Sequence, residues 1–310
     1  MLYFIVNEKS KSGNAKQIWK EIEEVLKVRN VSYQAFVSEY RGHAGKLAAE
    51  ICAMDDNDIC LVAVGGDGTA NEVINGITDF EKVRFGVIPT GSGNDLARGL
   101  SLSKDSKNGA IHILNAMKKS REDTWCMDLG EVNFGEKKRL FAISAGIGLD
   151  ALVCKKALKS TIKDILNKIR LGKLTYLVLT VQSLFTMQTA DAEIFFDREE
   201  GLQKKRMIFT AAMNFKAEGG GVPMAPAASA CDGKLSFCEA AGIPKWRTFL
   251  CLPFLVAAKH TSIHGFSVTD AKDCTIRLSR PLVVHADGEY CGEVTEVHFH
   301  CLPGKLRVLK

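Results

Sequence analysis

The chain predicts an α/β domain built on a parallel sheet, followed by an all-β sandwich. Three observations carry this. Over the first 127 residues, short apolar runs alternate with segments of helical spacing, the pattern of strands covered by helices. Two of those apolar runs end directly in glycine-rich turns. After Cys126 the texture changes to short strand-like segments joined by Gly, Pro and Asp turns, as in an antiparallel sandwich or barrel. The expected division is therefore 1–127 for an α/β domain and 128–310 for a β-sandwich domain, the closing residues being free to return to the first.

In order, Leu2–Val6 reads as a strand, Ala15–Val28 as a helix, Tyr33–Val37 as a strand and Ala44–Met54 as a helix. Ile59–Val64 is a strand, Thr69–Gly76 a helix and Arg84–Ile88 a strand, followed by helices from Asn94 and over Ala110–Lys118. In the second part, strands are expected at Asp128–Val132, Arg139–Ser144, Ala192–Phe196, Lys205–Met213 and Lys234–Glu239. More follow at Thr275–Leu278, Pro281–Ala286 and Glu296–Cys301. Two helical stretches interrupt them, Leu149–Phe185 and Lys245–His260.

Composition narrows the function classes. Apolar content of 46% and charged content of 25% are those of an ordinary globular protein. A net charge of +5 over 310 residues is too small an excess for a nucleic-acid binder, though it suits an anionic partner. The ten cysteines show no Cys-x-x-Cys pair and several sit in apolar runs, so reduced thiols in a cytoplasmic setting are expected rather than disulfides or zinc. The start, Met1–Asn7, reads as a strand and not a signal peptide. The longest uncharged apolar stretches, near Leu174–Phe185 and Leu250–Ala258, are shorter than the roughly 20 residues of a spanning helix. Membrane contact is accordingly expected to be peripheral and transient, and the chain is compatible with a homodimer. Lys155, Lys156, Lys159, Lys163, Lys168, Arg170 and Lys173 make a basic amphipathic stretch, which suits either an anionic bilayer or a solvated helix face.

The chemistry concentrates at the strand ends. Gly65-Gly66-Asp67-Gly68-Thr69 follows the buried-type strand Ile59–Val64 and opens the helical segment Ala70–Asn75. Glycines admit close backbone approach, and the N–H groups of such a turn and of the helix start hold phosphoryl oxygens. An aspartate at that tip repels phosphate unless a divalent cation shares the charge. Thr90-Gly91-Ser92-Gly93-Asn94-Asp95 repeats the arrangement one strand later: Ser92 and Asn94 offer neutral hydrogen bonds, and Asp95 a second carboxylate. At the first strand end, Asn7-Glu8-Lys9-Ser10-Lys11-Ser12-Gly13 suits phosphates or ribose. Late in the chain, Ala286-Asp287-Gly288-Glu289 offers a carboxylate able to take a hydroxyl proton, or equally a tight hairpin turn. Seven histidines are scattered without ligand spacing, and His43 is read as structural.

The run Gly-Gly-Asp-Gly-Thr-x-Asn-Glu-Val-x-Asn-Gly, with Pro-Thr-Gly-Ser-Gly-Asn-Asp-Leu-Ala-Arg some twenty residues on, resembles the diacylglycerol kinase catalytic-domain family, which includes bacterial lipid kinases and the sphingosine and ceramide kinases. The resemblance implies a Rossmann-like, NAD kinase-like first domain and a β-sandwich second domain. It implies ATP contacts at Asn7, Glu8, Lys9, Ser10, Lys11, Ser38, Gly65, Gly66, Asp67, Gly68, Thr69, Ala70, Asn71, Ser92, Gly93 and Asn94. Glu8 departs from the family's usual proline, and Ser38 from its usual threonine. By the same resemblance, Asp67, Asp95 and Asp128 gather around Mg2+, Glu289 is the general base, and Asp287 organises magnesium or the nucleophile. The loop Ala228–Lys234 resembles one that binds a structural magnesium through Ser229, Asp232 and Lys234, although Cys231 replaces a frequent second acid.

The implied function is an ATP- and Mg2+-dependent lipid kinase acting at a membrane surface, with diacylglycerol as the leading acceptor and Leu174–Phe185 and Phe249–Val256 available to line a recess for acyl chains. Two alternatives stay open: an NAD kinase-like enzyme acting on a soluble ribose, which needs no vesicles, and a nucleotide- or lipid-binding regulator without turnover.

Overall fold

Five apolar residues in a row form the first strand, β1 (Leu2–Val6), and all five are buried. The computed structural model describes residues 1–10, 15–159, 172–197 and 200–310, and by internal packing it divides into two units, Met1–Asp128 with Gly304–Lys310, and Leu129–Pro303.

In the first unit β1 pairs in parallel with β2 (Gln34–Val37) and β3 (Ile59–Gly65), and β3 pairs in parallel with β4 (Val83–Pro89). β3 and β4 are buried along their whole length, as continuous apolar runs require when helices cover both faces. One face packs Phe4 and Val62 against Trp19, Ile22 and Leu26 of α1 (Ala15–Val28) and Ile113 of α5 (Ser106–Ala116). The other side carries α2 (His43–Cys52) and α3 (Asp67–Gly76), which approach so closely that a Cβ on Gly76 would lie 2.1 Å from the Gly45 carbonyl oxygen. A short α4 (Asp95–Gly99) follows β4. The chain end returns to this sheet, with Arg307 and Val308 of β14 (Glu289–Val308) running parallel to Arg84 and Phe85.

The second unit is antiparallel. β12 (Phe266–Ala271), β11 (Leu235–Ala240), β10 (Phe209–Met213), β7 (Ser144–Gly148) and β13 (Asp273–Ala286) pair in that order. The other half of β13 pairs with β8 (Ala190–Phe196), which pairs with β9 (Leu202–Met207), and β5 (Trp125–Phe134) pairs with β6 (Lys137–Phe141) and β14. β13 therefore serves two layers, and its register against β14 shifts between Arg277 and Leu282, where the strand bends from one to the other. Between the layers lie Phe141, Ile147, Phe196, Phe237 and Phe299. The outer face of β10 and β11 is covered by α6 (Leu149–Lys159), α7 (Gly172–Thr186) and α8 (Lys245–Val256). Burial on both faces is why β10 and β11 lack the polar alternation of a half-exposed sheet.

The expected α/β domain plus sandwich is thus the architecture found, with local differences. Lys205–Met213 is two strands, because Arg206 turns at φ +51° and the chain changes layer at Ile208. Thr275–Leu278 and Pro281–Ala286 are one bent strand. The helix from Lys245 stops at Val256, and Ala258 turns at φ +58°. The expected Leu149–Phe185 helix is α6 and α7 with 160–171 between them; Lys163, Lys168 and Arg170 lie outside the described residues, as does Lys11.

Candidate active site

The two glycine turns meet backbone to backbone. A Cβ on Gly91 would sit 2.7 Å from Gly66 Cα, a clash, and one on Gly66 would press on Gly91 Cα at 3.2 Å. Thr90 N–H donates to Gly65 O at 2.8 Å, which fixes the two strand ends in step. A Cβ on Gly65 would overlap Thr69 Cβ at 2.5 Å, so that glycine lets the first turn of α3 fold back on its strand. The N–H groups of Gly68 and Thr69 lie in the first turn of α3, where helix geometry supplies no intrahelical acceptor.

The first strand end joins the same place. Asn7 Nδ2 donates to Thr69 Oγ1 at 3.0 Å, and the Ser10 and Thr90 hydroxyls share a hydrogen bond of 2.5 Å. Lys9 Nζ reaches Glu39 O at 2.6 Å, Glu8 is half-buried, and Ser38 is buried with Oγ 3.4 Å from Val6 O. Ala70 and Asn71, in the first turns of α3, are buried.

Two carboxylates converge on the second loop. Asp67 Oδ1 accepts the Leu96 N–H at 3.1 Å. A Cβ on Gly93 would lie 2.9 Å from Asp67 Oδ2 and 3.5 Å from Asp95 Oδ2, so both acids face a point that only glycine leaves open. Asp95 also pairs with Arg98, whose guanidinium donates to Gly93 O at 2.8 Å. Asn94, at φ +52°, uses its side-chain amide on Gly91 in both directions, at 2.9 Å each; its place is to hold the loop. Ser92 is exposed at the tip. Asp128 is only 2% exposed and its Oδ1 accepts Gly304 N–H at 2.7 Å, tying the returning chain end to this unit.

In the second unit, Asp287 and Gly288 are the two turn residues of a hairpin closed by Ala286 and Glu289, and both have positive φ, +48° and +81°. The motif therefore forms the tight hairpin turn that its Asp-Gly pair equally predicts. Asp287 is 9% exposed and its carboxylate accepts N–H groups of Ala142 and Ile143 at 2.8 Å and Ser144 at 3.1 Å. It anchors the turn, and Glu289 stands half-buried beside it. In the Ser229 loop, Asp232 Oδ1 accepts Lys234 N–H at 3.1 Å and Gly233 turns at φ +76°.

Sequence reasoning missed three residues here. His285 is buried with Nε2 3.1 Å from Asp150 Oδ2 and Nδ1 accepting Gly288 N–H at 3.2 Å. Glu218, hydrogen-bonded to the Ser144 hydroxyl, completes a group whose ligand-type atoms lie within 4.8 Å of one another. Burial by itself would lower the His285 pKa, but the hydrogen bond to Asp150 and the charges of Asp150, Glu218 and Asp287 outweigh it and hold it above the ordinary value. These positions are far apart in the chain, so no local spacing marks them; the two-residue offset of His285 from Asp287 is the one available signal.

Residues 1–127 match the family model of the diacylglycerol kinase catalytic domain, and residues 144–310 match that of the YegS C-terminal NAD kinase beta sandwich-like domain. The chain belongs to the diacylglycerol kinase catalytic-domain family. That makes it an enzyme, a phosphotransferase of the lipid-kinase class. Among relatives of this family, YtlR of Bacillus subtilis (strain 168), named as a candidate lipid kinase, is 30% identical over 99% of this chain and 98% of its own. The fold is also that of a candidate diacylglycerol kinase from Bacillus anthracis str. Sterne, with TM-score 0.77 at 22% identity over 99% of this chain and 96% of that one. An NAD kinase from Archaeoglobus fulgidus, solved in complex with ATP, shares the fold at TM-score 0.55 and 14% identity, covering 100% of this chain and 94% of its own.

Proposed function

We propose that this lipid kinase transfers the γ-phosphoryl group of ATP to the free hydroxyl of diacylglycerol, giving phosphatidic acid and ADP at a membrane surface. The observation that carries the reading is the Gly66–Gly91 backbone contact, with the Asp67 and Asp95 carboxylates converging beyond it at Gly93. The turn amides and the start of α3 supply donors for triphosphate oxygens, while Asn7, Lys9, Ser10 and Ser38 stand at the neighbouring strand ends.

Two converging carboxylates at a phosphate site fit Mg2+, which Asp67 and Asp95 would hold with Asp128 in support. When bound, it shares the negative charge of the phosphoryl oxygens. A structural Mg2+ would sit in the Asp232 loop, with the carbonyls of Ser229 and Lys234. In the transfer, the lipid oxygen forms the new bond to phosphorus as the bond to ADP breaks, and Glu289 takes the hydroxyl proton. Asp287 acts by holding the turn that presents Glu289.

The test is to incubate the purified chain with γ-labelled ATP, Mg2+ and, separately, diacylglycerol, ceramide, sphingosine and soluble NAD. Label should appear in phosphatidic acid, only with lipid or detergent present, and be lost in Asp67→Ala. Label on NAD without vesicles would replace this reading with the soluble-substrate one. Tight ATP binding with no labelled product would leave a regulator.

A further inference from the structure

α8 carries two apolar stripes where a surface helix carries one. Thr248, Cys251 and Leu255 are buried and fall within about 60° of the helical wheel. Trp246, Phe249, Leu250, Pro253, Phe254, Val256 and Ala257 span about 160° on the opposite side, all exposed. Trp246 is 60% and Leu250 57% exposed, an arrangement that core packing does not explain. Of the segment Phe249–Val256, expected to line a recess for acyl chains, Phe249, Leu250, Phe254 and Val256 are exposed while Cys251 and Leu255 are buried.

The patch is held ready. Phe185, at the end of α7, is exposed and its ring lies 6.0 Å from that of Phe249. Lys245 Nζ donates to the carbonyls of Phe185, at the end of α7, and of Met187 just beyond it, tying the two helices together. Val178 of α7 and Leu158 of α6 are also exposed.

The charge around the patch selects the partner. From Ala240 to Thr269 the chain has no Asp or Glu, while Arg247 and Lys259 flank the apolar stripe. A second copy of the chain docked through the same face would set those cations against one another. An apolar strip with an interfacial Trp and a basic rim matches an anionic bilayer, with rings at acyl depth and cations among the headgroups.

We infer that the exposed face of α8, with Phe185, is the surface by which this protein seats on an anionic membrane. The inference deepens the lipid-kinase reading and rests on it for its purpose, but the two are separable by experiment. The full chain is mixed with vesicles of phosphatidylcholine alone and of phosphatidylcholine doped with phosphatidylglycerol, and the bound fraction is read by sedimentation. Trp246 fluorescence is followed with brominated lipid.

The wild-type chain should bind the doped vesicles and lose binding at high salt, and its fluorescence should be quenched, with Trp246→Phe removing the quenched component. Trp246→Ser/Phe249→Ser/Leu250→Ser should lose about tenfold or more in vesicle affinity. Because these side chains are exposed, it should keep its circular dichroism. Equal vesicle binding by the triple variant overturns the inference, as does a wild-type chain that ignores doped vesicles. So does a concentration-dependent dimer that the triple variant abolishes while vesicle binding persists. If vesicle binding behaves as stated while no lipid is ever phosphorylated, the surface stands and the kinase reading falls; phosphorylation with patch-independent binding gives the reverse.

Discussion

His285 Nε2 lies 3.1 Å from Asp150 Oδ2, while the other ring nitrogen of His285 accepts the N–H of Gly288. One buried imidazole thus links the start of α6 to the turn that carries Glu289. With Nδ1 accepting, Nε2 holds the proton, so the neutral ring satisfies both contacts at once. Asn at this position places Oδ1 where Nδ1 stands and keeps the acceptor for Gly288, whereas Gln keeps a donor toward Asp150. His285→Asn should retain most of kcat, and His285→Gln should lose about tenfold to a hundredfold in kcat with little change in KM for ATP. Steady-state kinetics of the two variants decide it, and equal losses in both would reduce His285 to packing.

If Glu289 is the general base as proposed, Glu289→Gln removes the proton acceptor and keeps the shape. Turnover should fall by about a hundredfold or more, with nucleotide affinity unchanged by equilibrium binding. Full turnover in that variant would move the general base elsewhere.

Asp287 accepts three backbone N–H groups at the end of β6 and the start of β7. Asp287→Ala leaves those donors buried without their acceptor, at a cost of about 3 kcal/mol or more. The urea transition reported by Trp246 should shift to lower denaturant concentration; an unmoved midpoint would mean that water replaces the carboxylate at no cost.

The glycine contact makes a sharp steric prediction. Gly91→Ala puts a methyl 2.7 Å from Gly66 Cα, within the closest approach that carbon atoms tolerate, so the two turns must separate. KM for ATP should rise by about tenfold, with the circular dichroism unchanged. A wild-type KM would show that the turns do not share one ligand.

Acid should weaken the second unit through His260. This ring is fully buried, with Nε2 2.9 Å from Met224 O and Nδ1 enclosed without a partner among the described residues. Burial lowers its pKa, with the hydrogen bond to Met224 only partly opposing. A depressed folded pKa means that the unfolded chain binds the proton more readily. The contribution is therefore present above about pH 6.5 and lost as pH falls through the folded value. His285 has the opposite sign: its raised pKa favours the folded chain at low pH and that contribution fades as pH rises through the folded value. Thermal unfolding of His260→Leu should show a flatter acid limb than wild type; parallel curves would clear His260 of the effect.

Much of the fold was legible because its signals are local. Continuous apolar runs at Leu2–Val6, Ile59–Val64 and Phe85–Ile88 announce strands covered on both faces, and glycines after two of them announce phosphate-type turns. The two-layered course of β13 was hidden, because a bend in register has no spacing of its own; Thr275–Leu278 and Pro281–Ala286 read as separate strands. Asn94 read as a ligand-facing amide, although an αL residue beside Gly91 bonds its own loop. Phe249–Val256 read as lining for an acyl-chain recess, and the exposure of Phe249, Leu250, Phe254 and Val256 was not legible because composition cannot tell which way an apolar residue points.

By itself the sequence determined the α/β unit followed by a sandwich, the two glycine turns and the acids within them, since each depends on neighbours a few positions apart. Only the tertiary structure decided that Gly66 touches Gly91, that Asp67 and Asp95 converge on Gly93, that His285 meets Asp150, and that Gly304–Lys310 returns to the first sheet. Those contacts join residues distant in the chain, and they are selected by the packing of whole strands and helices, which no local pattern encodes.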